Sequence, residues 1–370
     1  MRKYQGIIFA YREEPELREL TANRTAASLP FCGRYRLIDF PLSSLRNAGV
    51  LDVGVIMQRD YQSLLDHIGS GKAWDMSRRS GGLRMLPPFG LPQYHNGNYN
   101  GTMEALNAVG SYLRDSSAEN VILMLGSVAA NIDLAAAIQK YEESDADALA
   151  ICMDHDPMGV HHRFNVGPDG YVNGLNLYRR GAGDGLPSLE AYIFRKDILL
   201  ELMDYCRANN HYLFHRDAIT LFLSRGGKMT VYVHEGYANS IRTVEEYYQV
   251  SRDMLKAENR RQMFPAGRPV RAKTHEDVST YYGETARSVN SLVGDKCIIE
   301  GDVENCIIFS GVHVAPGAKL RDCIIMKGCD VGEGAELSCV IADKACKFSP
   351  ASVLIGSPKL PTVVPKGTEI

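Results

Sequence analysis

NCIIFSGVHVAPGAKL (305–320), DCIIMKGCDVGEGAEL (322–337) and SCVIADKACKFSPASVL (338–354) repeat one short pattern. Cys306, Cys323 and Cys339 stand 17 and 16 residues apart. Val312, Cys329 and Ala345 keep that spacing, as do Ala318, Ala335 and Ala351. Within each copy, small or apolar residues recur about every six positions, with glycines between them. A coil of three short strands per turn needs this pattern: compact side chains pointing inward at equal steps, and glycine at the corners. Each coil buries its core only by stacking on the next. The tail from 291 to 370 therefore reads as a left-handed parallel β-helix.

The repeat also accounts for cysteine usage. Of nine cysteines, six lie between 297 and 346. Cys306, Cys323 and Cys339 are read as one inward position in successive coils, where a compact apolar residue is wanted. No CxxC pair and no histidine cluster at zinc spacing occurs, which argues against a structural metal.

The preceding residues follow a different period. Short apolar runs (Gly6–Ala10, Val53–Met57, Val121–Leu125, Ala148–Met153, Leu189–Phe194, Met229–His234) alternate with amphipathic stretches (Pro41–Ala48, Asp60–Ile68, Thr102–Arg114, Leu134–Ser144, Asp197–Asn209, Ala218–Arg225, Val244–Glu258). This alternation predicts an α/β domain over 1–258, a mostly parallel sheet with helices on both faces. Ligands of such sheets sit beyond the carboxyl ends of the strands, so the residues just after each strand matter most. Residues 259–290 are basic, contain Pro and Gly, and lack a clear period; they read as an ordered connector. The formal net charge of −3 gives no electrostatic case for nucleic acid or an anionic membrane. No apolar run is long enough to span a bilayer or resembles a signal peptide, so a cytoplasmic location is expected.

Three stretches carry a family resemblance over nearly the whole chain. LPFCGRYRLIDFPLSSLRNAG (29–49), YNGTMEAL (99–106) and RTVEEYYQVSRDML (242–255) resemble segments of glucose-1-phosphate adenylyltransferases, and among these the GlgD-type non-catalytic subunits of glycogen biosynthesis. The resemblance implies a nucleotidyltransferase-type, Rossmann-like domain joined to a hexapeptide β-helix. The family reaction joins glucose 1-phosphate to the α-phosphate of ATP. That chemistry needs backbone donors, cations and Mg²⁺ around two polyanions.

This chain departs from the family pattern where those groups belong. Where the family has the loop GGRGTRL, its glycines align with Tyr11, Arg12 and Glu14, and its arginines with Glu13 and Glu16. Each carboxylate within 4 Å of a phosphate would cost about 4 kcal/mol at an effective dielectric near 20, before screening. The family lysine of RAKPAVPFGG falls at Ala26, while Arg24 and the PFxG turn read as supports of the loop. The two aspartates expected to hold Mg²⁺ fall at Ser127 and Ser240, so Mg²⁺ binding is expected to be lost and no cofactor is expected. Asn131 takes a family lysine position, and Asp133 reads as a helix cap.

Some candidate ligand contacts remain. Gly101, Thr102 and Glu104 keep the GTxxA pattern near the family's adenine and ribose, although a helix N-cap at Thr102 explains the same residues. Arg179 and Arg180 are the nearest counterparts of a sugar-phosphate lysine, with solvated surface arginines as the plainer reading. His161, His162, Arg163 and Phe164 read as mainly structural.

The resemblance implies a regulatory subunit that assembles with a catalytic adenylyltransferase subunit, as a heterotetramer, with homo-oligomers when alone. The alternatives are a weakly active glucose-1-phosphate adenylyltransferase and a sensor of sugar phosphates or nucleotides without turnover.

Overall fold

The computed structural model describes residues 3–11, 14–87, 99–155, 160–180, 183–273 and 278–370. Arg12 and Glu13, within the segment aligned with the family's phosphate loop, lie outside them. The chain forms two compact units. One comprises Met1–Arg12, Ile38–Ser240 and Met263–Arg271; the other comprises Glu13–Leu37, Ile241–Gln262 and Ala272–Ile370. A linear division at 258 and 290 does not follow these units, because two early segments pack with the tail rather than with their sequence neighbours.

The first unit is built on a nine-stranded sheet. Strand Tyr4–Phe9 lies at its centre, parallel to Val53–Ile56 on one side and to Asn120–Leu125 on the other. Both Tyr4–Phe9 and Asn120–Leu125 are buried almost throughout, as a strand covered by helices on both faces must be. Leu186–Arg195 runs antiparallel to both Asn120–Leu125 and Ala148–Met153, so the sheet is mixed at that point. A polar hairpin, Val160–Val166 with Val172–Arg180, extends the sheet edge. Its sequence lacks an apolar run, so periodicity does not reveal it.

The second unit contains the β-helix: three five-stranded parallel sheets, each strand paired in register with its equivalent one coil away. The first coil starts at strand Tyr281–Tyr282, inside the expected connector, which also holds the end of helix Ala257–Met263. Its outward residues are exposed and it carries no repeat cysteine, so the sequence signal there is weak. The lumen is a continuous apolar stack that includes Cys306, Ile308, Val312, Cys323, Ile325, Cys329, Val340 and Cys346.

The inward register corrects the sequence alignment of the last coil by one residue. Val340, not Cys339, continues the column of Cys306 and Cys323. Cys339 (φ 53°) occupies a left-handed corner, equivalent to Asn305 (φ 53°) and Asp322 (φ 54°). Likewise Ala345 (φ 58°) follows Gly311 and Gly328, and Ala351 (φ 58°) follows Gly317 and Gly334. The inward residue matching Val312 and Cys329 is therefore Cys346. Corners need positive φ, which glycine and, to a lesser degree, Asn and Asp accept without the Cβ penalty. The final coil fills all three corner columns with residues that pay that penalty.

One face of the β-helix is not left open. Its outward residues Ile307, Ile324 and Ile341 are buried. Segment 14–37 and helix Val244–Asp253 attach through the buried Arg24–Asp343 ion pair, the Tyr248 hydroxyl to Asp322 O (2.6 Å) and Arg252 to Asp322 Oδ1 (2.6 Å). Tyr247, fully buried, donates to Pro30 O (2.6 Å) and fixes helix to segment. The helix begins with a capping box between Thr243 and Glu246.

Ala345 and Ala351 are exposed, so replacing them costs little packing. Ala345→Gly and Ala351→Gly should each stabilise the chain by about 0.5–1 kcal/mol, strain relief exceeding the added chain entropy. Denaturant midpoints at unchanged m-value measure this; a lowered midpoint in both variants would refute the strain argument.

Candidate functional site

The candidate site lies at the carboxyl ends of the central strands of the first unit. Ala10, just after Tyr4–Phe9, donates to Ile56 O (3.0 Å), and Gly126, just after Asn120–Leu125, donates to Phe9 O (2.9 Å). These bonds hold the strand ends level. Where a phosphate loop would begin, Tyr11 is buried and its ring packs edge-on against Tyr99 at 5.1 Å. An aromatic ring, rather than open backbone, fills that position. In the second unit, Glu16 is exposed in the short helical segment Pro15–Thr21, whose Leu17 and Leu20 are buried. Arg18 there has φ 47° and ψ −123°, a costly backbone for a residue with a side chain. Ala26 is buried in the turn Ala26–Ser28, and Arg24 is committed to Asp343.

The structure brings Ser127 and Ser240 together. Strand Val128–Ala130 pairs antiparallel with Ala238–Ser240, and Ser240 lies opposite Val128. Ser127 is 2% exposed and Ser240 3% exposed, and among the described residues neither hydroxyl has a hydrogen-bond partner. A buried, unpartnered hydroxyl costs about 1–3 kcal/mol. The strand pair thus converges two short polar side chains, as a two-carboxylate cation site requires, but supplies neutral oxygens. Mg²⁺ is held by carboxylates and water, so this donor set does not fit it. Among the described residues no group of three or more His, Cys, Asp or Glu has metal-binding geometry.

The neighbouring groups are occupied with structural tasks. Asn131 Nδ2 donates to Met263 O (3.0 Å) and Arg268 O (2.8 Å), tethering segment 263–271. Asp133 caps helix Leu134–Glu143 by accepting from Ala136 N (3.1 Å) and pairs with Arg268. His234 is buried nearby, and its pKa is pushed down to about 4, by burial first and by Arg268 second.

The residual ligand candidates are likewise engaged. Gly101, not Thr102, is the N-cap of helix Thr102–Ala108. A Cβ at Gly101 would lie 2.3 Å from Tyr212 O, and that carbonyl accepts from Met103 N (3.0 Å). The helix start is therefore closed by backbone. Glu104 accepts from Asn100 N, within the same turn. Arg179 and Arg180 end strand Val172–Arg180, opposite His161 and Val160; their side chains lie outside the described residues. Arg163 is buried and donates to Gly183 O (3.3 Å) and Gly185 O (3.1 Å), a structural use.

Sequence reasoning missed one buried polar chain. Ser188 Oγ lies 2.7 Å from the Tyr192 hydroxyl, which lies 2.5 Å from His215 Nε2, and His215 stacks on His162 with ring centroids 3.7 Å apart. These residues come from three separate elements, so no local motif marks them. It also missed a concentration of positive charge in the second unit: burial, with Arg36 and Arg24 nearby, pushes Lys344 down to about 8.

Comparison with known proteins agrees with this architecture. Residues 12–162 match the nucleotidyl transferase family, and residues 272–359 match the GlmU-like C-terminal hexapeptide family. The glycogen biosynthesis protein GlgD of Bacillus subtilis (strain 168) is 31% identical over 364 residues, covering 98% of this chain and 95% of that protein. The chain belongs to the GlgD/glucose-1-phosphate adenylyltransferase family. A glucose-1-phosphate adenylyltransferase of Clostridium botulinum (strain Alaska E43 / Type E3) is 30% identical over 323 residues, 86% of this chain and 83% of the enzyme. One of Bacillus cereus (strain Q1) is 30% identical over 325 residues, 86% of each chain. Among the described residues no helix is long and apolar enough to cross a membrane.

The His234 shift has a defined sign. Unfolded, the imidazole titrates near 6.5; folded, near 4, so the unfolded chain binds the extra proton between these values. Stability falls as pH drops through that window, by about 2 kcal/mol between pH 7 and pH 5 from this residue. In urea titrations at both pH values, His234→Gln should lose that much less than the parent chain. An identical pH dependence in the two proteins would show that His234 titrates normally.

Proposed function

We propose that this chain is a catalytically defective, regulatory subunit of glycogen biosynthesis that assembles with a catalytic glucose-1-phosphate adenylyltransferase subunit and raises its activity. One observation carries the reading: the two strand ends that converge on a cation position present the neutral hydroxyls of Ser127 and Ser240. Nucleotidyl transfer from ATP needs its developing charge neutralised, and two hydroxyls cannot supply what two carboxylates and their metal supply. Tyr11 puts a ring where close backbone approach to phosphate would be needed. The likeness to GlgD and to adenylyltransferases, spanning both units, supports a place in glycogen biosynthesis.

A non-catalytic subunit acts by favouring its partner's active state through contacts that differ between states. The exposed charged ladders of the β-helix, such as Lys319–Glu336 (2.8 Å), offer surface for such contacts.

Purified alone with ATP, glucose 1-phosphate and Mg²⁺, the chain should release no pyrophosphate. Mixed with a glucose-1-phosphate adenylyltransferase from the same source, it should co-elute as a hetero-oligomer and raise the rate. Separate elution with an unchanged rate would exclude the regulatory assignment, and sustained turnover by the chain alone would exclude the loss of catalysis.

Ser127→Asp with Ser240→Asp restores two carboxylates but leaves the altered loop. That double variant should gain Mg²⁺-dependent thermal stabilisation without reaching appreciable turnover. Full activity would mean that the loop is no barrier.

A further inference from the structure

We infer that Cys329 and Cys346, stacked on adjacent coils of the β-helix, form a reversible disulfide when the chain meets hydrogen peroxide. In-register parallel strands lie about 4.8 Å apart, within the Cα separation a disulfide spans. Strand Asp330–Val331 pairs with Lys347–Phe348 in register, so the residues just before them, Cys329 and Cys346, are direct neighbours, both in the lumen. Their polar surroundings also match: Cys329 Sγ lies 3.0 Å from Asp343 O, and Cys346 Sγ lies 3.1 Å from Pro365 O.

The lumen holds a second stacked pair, Cys306 and Cys323, where Cys323 N donates to Cys306 Sγ at 3.3 Å. The two pairs differ in what lies above them. Cys306 and Cys323 are enclosed by further coils on both sides. Beyond Cys346 lie Val364 and segment 365–370; that segment is largely exposed and held by Lys347 N to Thr368 O (2.9 Å), Gly367 N to Lys344 O (2.9 Å), Ile370 N to Lys347 O (2.9 Å) and the exposed Lys347–Glu369 pair (2.6 Å). A single layer with few buried contacts opens locally at far lower cost than the whole fold.

The electrostatics differ in the same sense. The Cys329 thiol, followed by the backbone amides of Thr368 and Gly367, lowers Cys346 against the opposing effect of burial, whereas burial raises Cys306. The nucleophile is thus assigned to Cys346.

The chemistry balances with peroxide as oxidant. The Cys346 thiolate attacks one peroxide oxygen, the O–O bond breaks, and hydroxide leaves, giving a sulfenic acid at Cys346. Cys329 sulfur then attacks the Cys346 sulfur; the S–O bond breaks, the S–S bond forms, and the oxygen departs as water with the Cys329 proton. Two thiols and one peroxide yield one disulfide and two waters. A dithiol reductant reverses the step.

Treating the full native chain with hydrogen peroxide, digesting it without reduction and mapping the peptides tests this. The expected product is a Cys329–Cys346 cross-linked peptide, a loss of two hydrogens from the intact mass, and its reversal by dithiothreitol. Cys346→Ser should abolish the product, while Cys306→Ser with Cys323→Ser should leave it in place. The rate in the parent chain is the second measure, independent of any effect of serine on folding. Cross-linking much faster than maleimide labelling of Cys306 supports the inference. No such peptide, or cross-linking only as fast as Cys306 becomes labelled on global unfolding, overturns it.

Discussion

Every strand of the β-helix satisfies its backbone only from the coils above and below it, so nothing in that unit can form alone. This requirement dictates the rest. Inward side chains must be small enough to stack at one rung spacing, which selects Cys306, Cys323 and Val312 for bulk. Corners must turn with positive φ, which selects Gly311, Gly317, Gly328 and Gly334. The same demand reaches outside the repeat. Buried Ile307, Ile324 and Ile341 on one outer face need cover, and segment 14–37 with helix Val244–Asp253 provides it. Most of the loop that sequence likeness aligns with a phosphate loop, from Glu14 on, belongs by packing to the unit of the β-helix.

The other unit meets a different constraint. Parallel strands at the centre of a covered sheet end at one level, and whatever follows them converges. The pairing of Val128–Ala130 with Ala238–Ser240 is such a convergence, and it survives without charged groups at its point. Burying carboxylates there without a cation would cost several kcal/mol each, so a carboxylate pair and its cation belong together at such a point. Serine keeps a small polar side chain in the same space, at the cost of two unpartnered hydroxyls.

The elements legible in the sequence were those whose period is set by burial. Ala148–Met153 and Met229–His234 follow their apolar runs residue for residue, and helix Leu134–Glu143 follows its stripe and its Asp133 cap. The hairpin Val160–Val166 with Val172–Arg180 was not legible, because an edge of the sheet needs no apolar run. The last coil was misread by one residue, because Cys339 in a corner looks like Cys306 in the lumen and only φ tells them apart. At the candidate site, the convergence of Ser127 and Ser240 could be expected from alignment. The Tyr212 carbonyl closing the helix at Gly101 could not, since it comes from a segment 111 residues away.

The buried Arg24–Asp343 pair shows why the altered loop keeps a defined structure. Both side chains are nearly fully buried, so neither charge could remain without the other, and each fixes its own segment: Arg24 the stretch after the short helix Pro15–Thr21, Asp343 the last coil. A short loop segment has little regular structure of its own to order it. Here that order comes from the β-helix instead, through an ion pair, the Tyr247 bond to Pro30 O and the buried Leu17 and Leu20. Charge at Glu16 is therefore displayed from a fixed framework rather than from a relaxed strand of chain. A fixed display of charge is what recognition by another protein surface requires.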